Sequence, residues 1–364
     1  MRSGRWRFAV FVLFLASAFI QSKLRNSSQS LSFLRDAAEQ VDSDAFAGGP
    51  YLEEALQKVS SPAIILLNKH ALKITLNFLC NLKRFQGALD RVVVFAFDYE
   101  SKIVIRGSFP NVQVVFYRFP QLEDTFKAGD GRYQLFQYFR ARLSAFLTTK
   151  VNDFWMIQAD TTWRRNLFET IDVRDVKEDL MFDSEGRSGL LANMIAGGYF
   201  YVKSNERTRK FFTNIAETLL DYYVTDNNIM ARQCYLNMFD CQCTFISYKL
   251  MANWRYTPID GESDPPFLQF DGGENSEDKF KQMDLQGALF VDPETLSVVT
   301  WPAKCLEESK LNDTRPEIQK RKNKANWIIR ISHATFEFLC SAVPGLKSLT
   351  LSYIFPFYAY YLAI

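Results

Sequence analysis

Histidine is nearly absent from this chain: His70 and His333 are the only two in 364 residues. No C-x-x-C spacing accompanies them, so a zinc site has no ligand set to draw on. No G-x-G-x-x-G follows a strand-like run, and neither a P-loop nor a G-x-S-x-G occurs. These absences exclude the dinucleotide fingerprint, the phosphate-cradling Walker loop and the serine-hydrolase elbow. An excess of one charge is lacking as well. With 43 Lys and Arg against 41 Asp and Glu, the net charge is +2, and no field directs the chain to nucleic acid. Cysteine is sparse, six residues in all. An even count is compatible with disulfides, but six cysteines pair in 15 ways, so no pairing is assigned. Cys241 and Cys243 stand too close in sequence to bridge readily to each other.

Hydrophobic and aromatic residues are plentiful. The chain is 48% hydrophobic, with 33 Phe and 16 Tyr, enough for one large core or two modest ones. Near the N-terminus, Arg2, Arg5 and Arg7 precede Phe8–Ile20, which is apolar apart from Ser17; Lys23 and Arg25 follow. As a helix this run rises only ~20 Å against a hydrocarbon core of ~30 Å. It reads as a short signal-anchor or, given the small-x-small pattern Ala16-Ser17-Ala18, as a cleaved signal peptide. The flanking basic residues favour a cytosolic N-terminus. Both readings put the rest of the chain in the secretory lumen, at a Golgi or endoplasmic reticulum membrane or secreted. There Asn26-Ser27-Ser28 and Asn312-Asp313-Thr314 become glycan acceptors, and the cysteines can oxidise.

Beyond the anchor (1–25), residues 26–60 are polar with acidic and Ser-rich patches and read as a stem. A strand and helix rhythm then runs over 61–305. Ala63–Leu67, Arg91–Phe97, Val112–Phe116 and Phe154–Ile157 are short β-branched or aromatic runs. Helical patterns at 70–85 and 131–150 separate them; the second sets Phe136, Phe139, Leu143, Phe146 and Leu147 on one face, with Arg140 among its polar positions. Continuous apolar strands alternating with helices predict an α/β fold, a buried, mostly parallel sheet covered on both faces. Further on, Tyr199–Val202 and Thr244–Tyr248 read as strands, Glu206–Tyr223 as a helix capped by Ser204, and 227–239 as a second helix behind Asp226. Ala288–Val299 reads as two short strands about a Pro-containing turn. Residues 306–364 form a charged linker followed by an apolar tail. In that tail Pro356 and the short length argue against a membrane span, leaving it to pack on the domain or lie at an interface.

In such sheets ligands sit beyond the carboxyl ends of strands. Carboxylates gather at these positions: Asp98, Asp160, Asp183, Asp226 and Asp271. Each has a structural reading beside the functional one. Asp160 can cap a helix over 163–169. Asp226 can cap its own helix, and Asp183 and Asp271 sit in turn-like surroundings, the latter before Gly272-Gly273. Gly197 and Gly198 either admit a sugar close to the backbone or relieve crowding at a bend. Trp163 reads as packing.

The order of these segments resembles the nucleotide-diphospho-sugar transferase family, glycosyltransferases of GT-A type. The resemblance rests on Gln158-Ala159-Asp160-Thr161-Thr162-Trp163 in the place of D-x-D-x-x-W, on DLMFDSEG at 179–186, on GGYFYVKSNERT at 197–208, on the Asp226-led DNNIMARQC, and on FLQFDGG at 267–273. It covers 131–240 most clearly and extends more weakly back to about residue 60. It implies a GT-A, Rossmann-like fold and sugar transfer from a nucleoside-diphosphate donor to a hydroxyl on a glycan or protein acceptor. It implies donor contacts at Asp98, Gln158, Asp160, Asp183 and Gly198, and catalytic work at Asp226 and Asp271. A Mn²⁺ or other divalent cation on Asp160 would neutralise the departing diphosphate, for which hard oxygen ligands are suited. The chain departs from the family pattern at Gln158, which offers a carbonyl oxygen where D-x-D has a carboxylate. A non-catalytic relative that binds a nucleotide-sugar or glycan, and a membrane-associated interaction protein using the aromatic tail, are the competing readings.

Overall fold

A computed structural model describes residues 2–41, 46, 50–253, 256, 264–271, 276–297, 302–307, 335, 338–340 and 342–360. The central sheet has seven strands: β1 (Ala63–Leu67), β2 (Val92–Ala96), β3 (Gln113–Phe116), β4 (Asp153–Met156), β6 (Leu180–Ser184), β7 (Ile195–Lys203) and β8 (Cys243–Phe245). Their order is β3-β2-β1-β4-β7-β6-β8. β3, β2, β1 and β4 run parallel; β7 is antiparallel to both of its neighbours, and β8 is parallel to β6. A second sheet of three short strands sets β10 (Phe267–Gln269) between β5 (Thr161–Trp163), to which it is antiparallel, and β9 (Met251–Ala252), to which it is parallel.

The strands read as unbroken apolar runs because both faces of the sheet are covered. Along β2, Val93 and Phe95 join one core cluster, whereas Val92, Val94 and Ala96 join the other. The first cluster packs against helices Gly131–Leu147 and Glu206–Asp221 through Phe139, Leu143, Phe211, Phe212 and Ile215. The second packs against Leu72–Leu82 and Tyr99–Ser108 through Leu76, Phe78, Leu79, Val104 and Ile105. The helices of the parallel half are therefore the crossovers that parallel pairing requires. Trp163 is a packing residue, as read from the sequence. It is fully buried, meets Phe78, Phe168 and Phe267 edge to face, and donates its indole N–H to Tyr199 Oη at 3.0 Å.

Several local expectations are corrected. Residues 161–163 are a strand, not the start of a helix, because β5 finds a partner in β10 about a hundred residues later. The short helix that follows, Leu167–Thr170, is capped by Asn166. Asn205, not Ser204, caps Glu206–Asp221, in a reciprocal capping box with Thr208. Thr225 caps the next helix, Asp226–Tyr235, so Asp226 is its first helical residue. Val291 makes a single bridge to Cys305, and Pro293–Ser297 is helical where a second strand was expected.

Residues 2–38 form one helix, so the apolar run continues without a break into the segment read as a stem. Leu34, Ala37, Ala38 and Val41 are buried in the main core, Ser30 Oγ donates to Gly129 O and Arg35 Nε to Leu220 O. Asn26 lies exposed on this helix and donates to Tyr223 Oη at 3.4 Å; Asn312 is outside the described residues. Among the described residues no helix is long and apolar enough to cross a membrane. The tail packs on the domain: a π-helix, Thr350–Ala359, lies against Asp226–Tyr235, with Arg232 Nε donating to Ser352 O and Phe357 against Tyr222. Two disulfides form, Cys80–Cys305 and Cys234–Cys243, while Cys241 and Cys340 are free and buried.

Candidate functional site

In the parallel half of the sheet the order 3-2-1-4 reverses between β1 and β4, and in such sheets ligands bind beyond the carboxyl ends of the strands at the point of reversal. β4 ends at Met156, and the chain passes through Gln158 to Asp160 before entering β5. Asp160 thus stands where the topology places ligands. It is 8% exposed. Its Oδ2 accepts from Lys279 Nζ at 2.6 Å, and its Oδ1 is buried with no hydrogen-bond partner. A buried carboxylate oxygen without a donor is costly. Gln158 is half-buried, and its backbone carbonyl accepts from Tyr199 Oη at 3.1 Å.

The segment 267–279 closes the site from the other side. Phe270 N donates to the Asp160 carbonyl at 2.7 Å. Gln269, opposite Thr161 in the ladder, donates through Nε2 to Asp183 Oδ2 at 2.6 Å. Asp271 follows, half-buried; Gly272 and Gly273 are outside the described residues. The helix Ser276–Leu285 then delivers Lys279. Burial pulls the Lys279 ammonium down, but Asp160 and then Asp271 outweigh it, and the net shift is upward. Lys279 is therefore charged.

Asp183 is the hub beneath this layer. It is 1% exposed, and its carboxylate accepts from four donors: Gly197 N at 2.8 Å on Oδ1, and Gly198 N at 2.9 Å, Tyr199 N at 2.8 Å and Gln269 Nε2 on Oδ2. Burial pushes this carboxyl up, while the four donors pull against it by favouring the ionised form. Gly197 and Gly198 are glycines for steric reasons. Gly197 has φ of +83°, and a Cβ there would lie 2.7 Å from Asn227 Cβ; at Gly198 it would lie 2.5 Å from Gln269 Oε1. Crowding, one of the two readings made for these glycines, is thus present at both, against the side chains of Asn227 and Gln269.

Asp226 is fully buried. Its Oδ2 accepts from Arg140 Nε and forms an ion pair with Nη2, its Oδ1 accepts from Asn227 N, and Arg140 Nη1 donates to Gly197 O. Asp98 caps the helix Tyr99–Ser108: Ser101 N and Oγ and Lys69 N take up its two oxygens. Of the seven residues singled out in the sequence, Gln158, Asp160, Asp183, Gly198 and Asp271 are brought together. Asp226 stands behind them on Gly197, and Asp98 lies at the end of β2.

Two participants were not foreseen. Lys279 sits in the charged stretch Glu277-Asp278-Lys279-Phe280-Lys281, which reads as a solvated helix face. Gln269 sits in FLQF, where alternation with apolar neighbours was its only signal. The arrangement does not fit a divalent cation. Of the two Asp160 oxygens Oδ2 is held by an ammonium and Oδ1 is buried, Asp183 and Asp226 have their oxygens engaged, and among the described residues no three His, Cys, Asp or Glu side chains cluster to hold an ion.

The nucleotide-diphospho-sugar transferase family matches this chain over residues 87–283, which takes in β2 through Lys279. The chain is similar to two solved glycosyltransferase structures. One is the apo WbbM bifunctional glycosyltransferase, at 12% identity and a TM-score of 0.41; the match covers 62% of this chain and 50% of that one. The other is the galactosyltransferase LgtC in complex with donor and acceptor sugar analogues, at 9% identity and a TM-score of 0.42, covering 65% of this chain and 99% of that one. The chain thus spans half the length of the first and nearly all of the second. No curated protein matches it.

Proposed function

The chain belongs to the nucleotide-diphospho-sugar transferase family, and from that premise we propose that it moves a sugar from a nucleoside-diphosphate donor to a hydroxyl of a glycan or protein acceptor. The observation that carries this reading is Asp160. It lies just beyond β4, where the strand order reverses between β1 and β4, with one oxygen buried and unpartnered and a charged lysine on the other.

When the glycosidic bond breaks, negative charge gathers on the departing diphosphate. A preorganised positive group in a partly dry site stabilises that charge most in the transition state. Gln158 and Asp160 form the donor side of the site, Asp160 orienting the cationic group. Asp183 holds Gly198, Tyr199 and Gln269 as a rigid floor. Asp226 acts through Arg140 on the Gly197 carbonyl, which makes it a positioning residue. Asp271, on the closing segment, is the carboxylate we assign to take a proton from an acceptor hydroxyl.

The lumen of the secretory pathway, at Golgi or endoplasmic reticulum membranes, is the compartment we propose. The two disulfides support it, because such bonds persist in oxidising surroundings. The apolar N-terminal run, with Phe11, Phe14, Phe19 and Ile20 exposed, is the proposed membrane attachment.

The test is a thermal-shift series on the full chain against the common nucleoside diphosphates, followed by donor hydrolysis with the corresponding nucleotide-sugars. A nucleotide present at a hundred times its Kd stabilises the fold by about 2.7 kcal/mol. Asp160→Ala is expected to remove both the shift and the hydrolysis. A flat response to every nucleotide rejects the reading, and binding with no donor turnover points instead to the non-catalytic relative.

A further inference from the structure

We infer that the Lys279 ammonium stands in for the divalent cation at the donor diphosphate, so that this site grips its nucleotide without a metal. The inference rests on the donor site proposed above and adds a named residue to it.

Charge balance is the first argument. A D-x-D pair brings two negative charges to a dication bearing two positive ones. Here Gln158 has removed one carboxylate, and Lys279 brings a single positive charge to the single remaining Asp160. Both changes have the same size and opposite sign, so the local balance between protein and cation is retained. Gln158 alone would weaken a metal site; together with Lys279 it makes a consistent one.

Geometry is the second. The 2.6 Å contact puts the ammonium on Oδ2 of the one carboxylate that remains of the D-x-D pattern. An ammonium carries three donors, and Asp160 takes one. The Lys279 side chain is 25% exposed and that of Asp160 10%, so the lysine is the less buried member of the pair. Asp271 adds a weaker pull on the same ammonium. The lysine is delivered by the helix directly after β10, the strand that joins Asp183 to the site through Gln269. The closing segment therefore sets the cation and the floor of the site together.

Competition is the third. For a metal to reach Asp160 Oδ2 it must displace a charged neighbour 2.6 Å away, held by a charge-assisted hydrogen bond, and Oδ1 is buried. The other carboxylates beneath the site cannot compensate, since Asp183 already accepts four hydrogen bonds.

The experiment titrates the full chain calorimetrically with the nucleoside diphosphates UDP, GDP, CDP and ADP, in excess EDTA and in saturating Mn²⁺. The expected result is a nucleotide that binds equally tightly in both. Lys279→Ala is expected to weaken that binding in EDTA by roughly 10- to 100-fold, the loss of one charge-assisted contact. Added Mn²⁺ should recover part of it, because Asp160 Oδ2 is then open. Lys279→Arg, which keeps the charge, should retain most of the affinity, and its melting temperature beside that of Lys279→Ala separates lost binding from lost folding. A wild-type chain that binds nucleotide only with Mn²⁺ overturns this inference and leaves the transferase reading standing. Unchanged affinity of a folded Lys279→Ala in EDTA overturns it too. Binding of no nucleotide in either condition overturns both.

Discussion

Arg140 and Asp226, 86 residues apart, meet at one carboxylate oxygen, which accepts a hydrogen bond from Nε at 2.8 Å and lies in an ion pair with Nη2 at 2.6 Å. Both side chains are buried, and the third guanidinium nitrogen reaches Gly197 O at 2.7 Å. The pair ties the helix Gly131–Leu147, the start of Asp226–Tyr235 and the glycine turn of β7 to one point. Since Gly197 and Gly198 donate to Asp183, the pair also sets the floor of the candidate site.

Breaking this pair leaves a buried charge without a partner. Arg140→Met and Asp226→Ala are each expected to destabilise the fold by about 3–5 kcal/mol. The double variant should cost less than the sum of the two, because it removes both charges together. Urea unfolding of the three variants measures the coupling; additive costs would show that the pair is not an energetic unit.

Gly198→Ala drives a methyl group to 2.5 Å from Gln269 Oε1. Either Gln269 leaves Asp183 or the β7 backbone shifts, at a cost of about 1–3 kcal/mol. Donor hydrolysis should fall more than the modest stability loss accounts for, since Gln269 links Asp183 to the closing segment. A paired measurement of melting temperature and turnover checks this, with Gly87→Ala as the contrast: a Cβ at Gly87 meets nothing within 4 Å, although its φ of +71° carries its own strain.

The Cys80–Cys305 disulfide closes a loop with a sequence separation of 225 and fastens the helix Leu72–Leu82 to the segment after Pro293–Ser297. Cys80→Ser is expected to lower stability by about 2–5 kcal/mol. A reducing agent should lower the melting temperature of the wild type and move the Cys80→Ser chain less. An equal response in both would place the redox sensitivity at Cys234–Cys243 instead.

Asp179 gives the fold a dependence on pH. Burial raises its carboxyl, but Arg207, Gln242 N and Asn205 outweigh it, and the net shift is downward. Arg207 donates at 2.6 and 3.0 Å, Asn205 Nδ2 at 2.8 Å and Gln242 N at 3.0 Å. A depressed folded pKa means that the contribution is complete above the unfolded value of about 3.9 and is lost as pH falls through the folded value below it. Asp179→Asn should therefore be less stable than wild type at pH 7, and the gap should close in acid. Unfolding curves measured from neutral pH down to about 2 decide it; a gap that stays constant refutes the assignment.

Local features of the sheet were legible from the chain itself. β1 to β4 and the helices between them follow from apolar runs and periodicity, because each run must bury a face on both sides of a covered sheet. The interest of Asp160 was legible too, since a carboxylate after a buried strand stands at an exposed end. Features that depend on a distant partner were not. Thr161–Trp163 looked like the approach to a helix until Phe267–Gln269 paired with it. Ser204 and Asp226 looked like caps, but Asn205 and Thr225 occupy the positions from which a side chain reaches the free N–H groups.

What the sequence determined on its own was the alternation of elements and the loss of one carboxylate at Gln158, for these are properties of neighbouring residues and their spacing. Only the tertiary structure decided which cationic side chain meets the remaining carboxylate. Lys279 lies 119 residues from Asp160, and in sequence it is one lysine among others on a polar helix. No periodicity encodes a meeting across that distance; it follows from β10 entering the ladder beside β5 and carrying the next helix with it. Electrostatic partnership is a matter of through-space distance, which the order of residues leaves open until the sheets close.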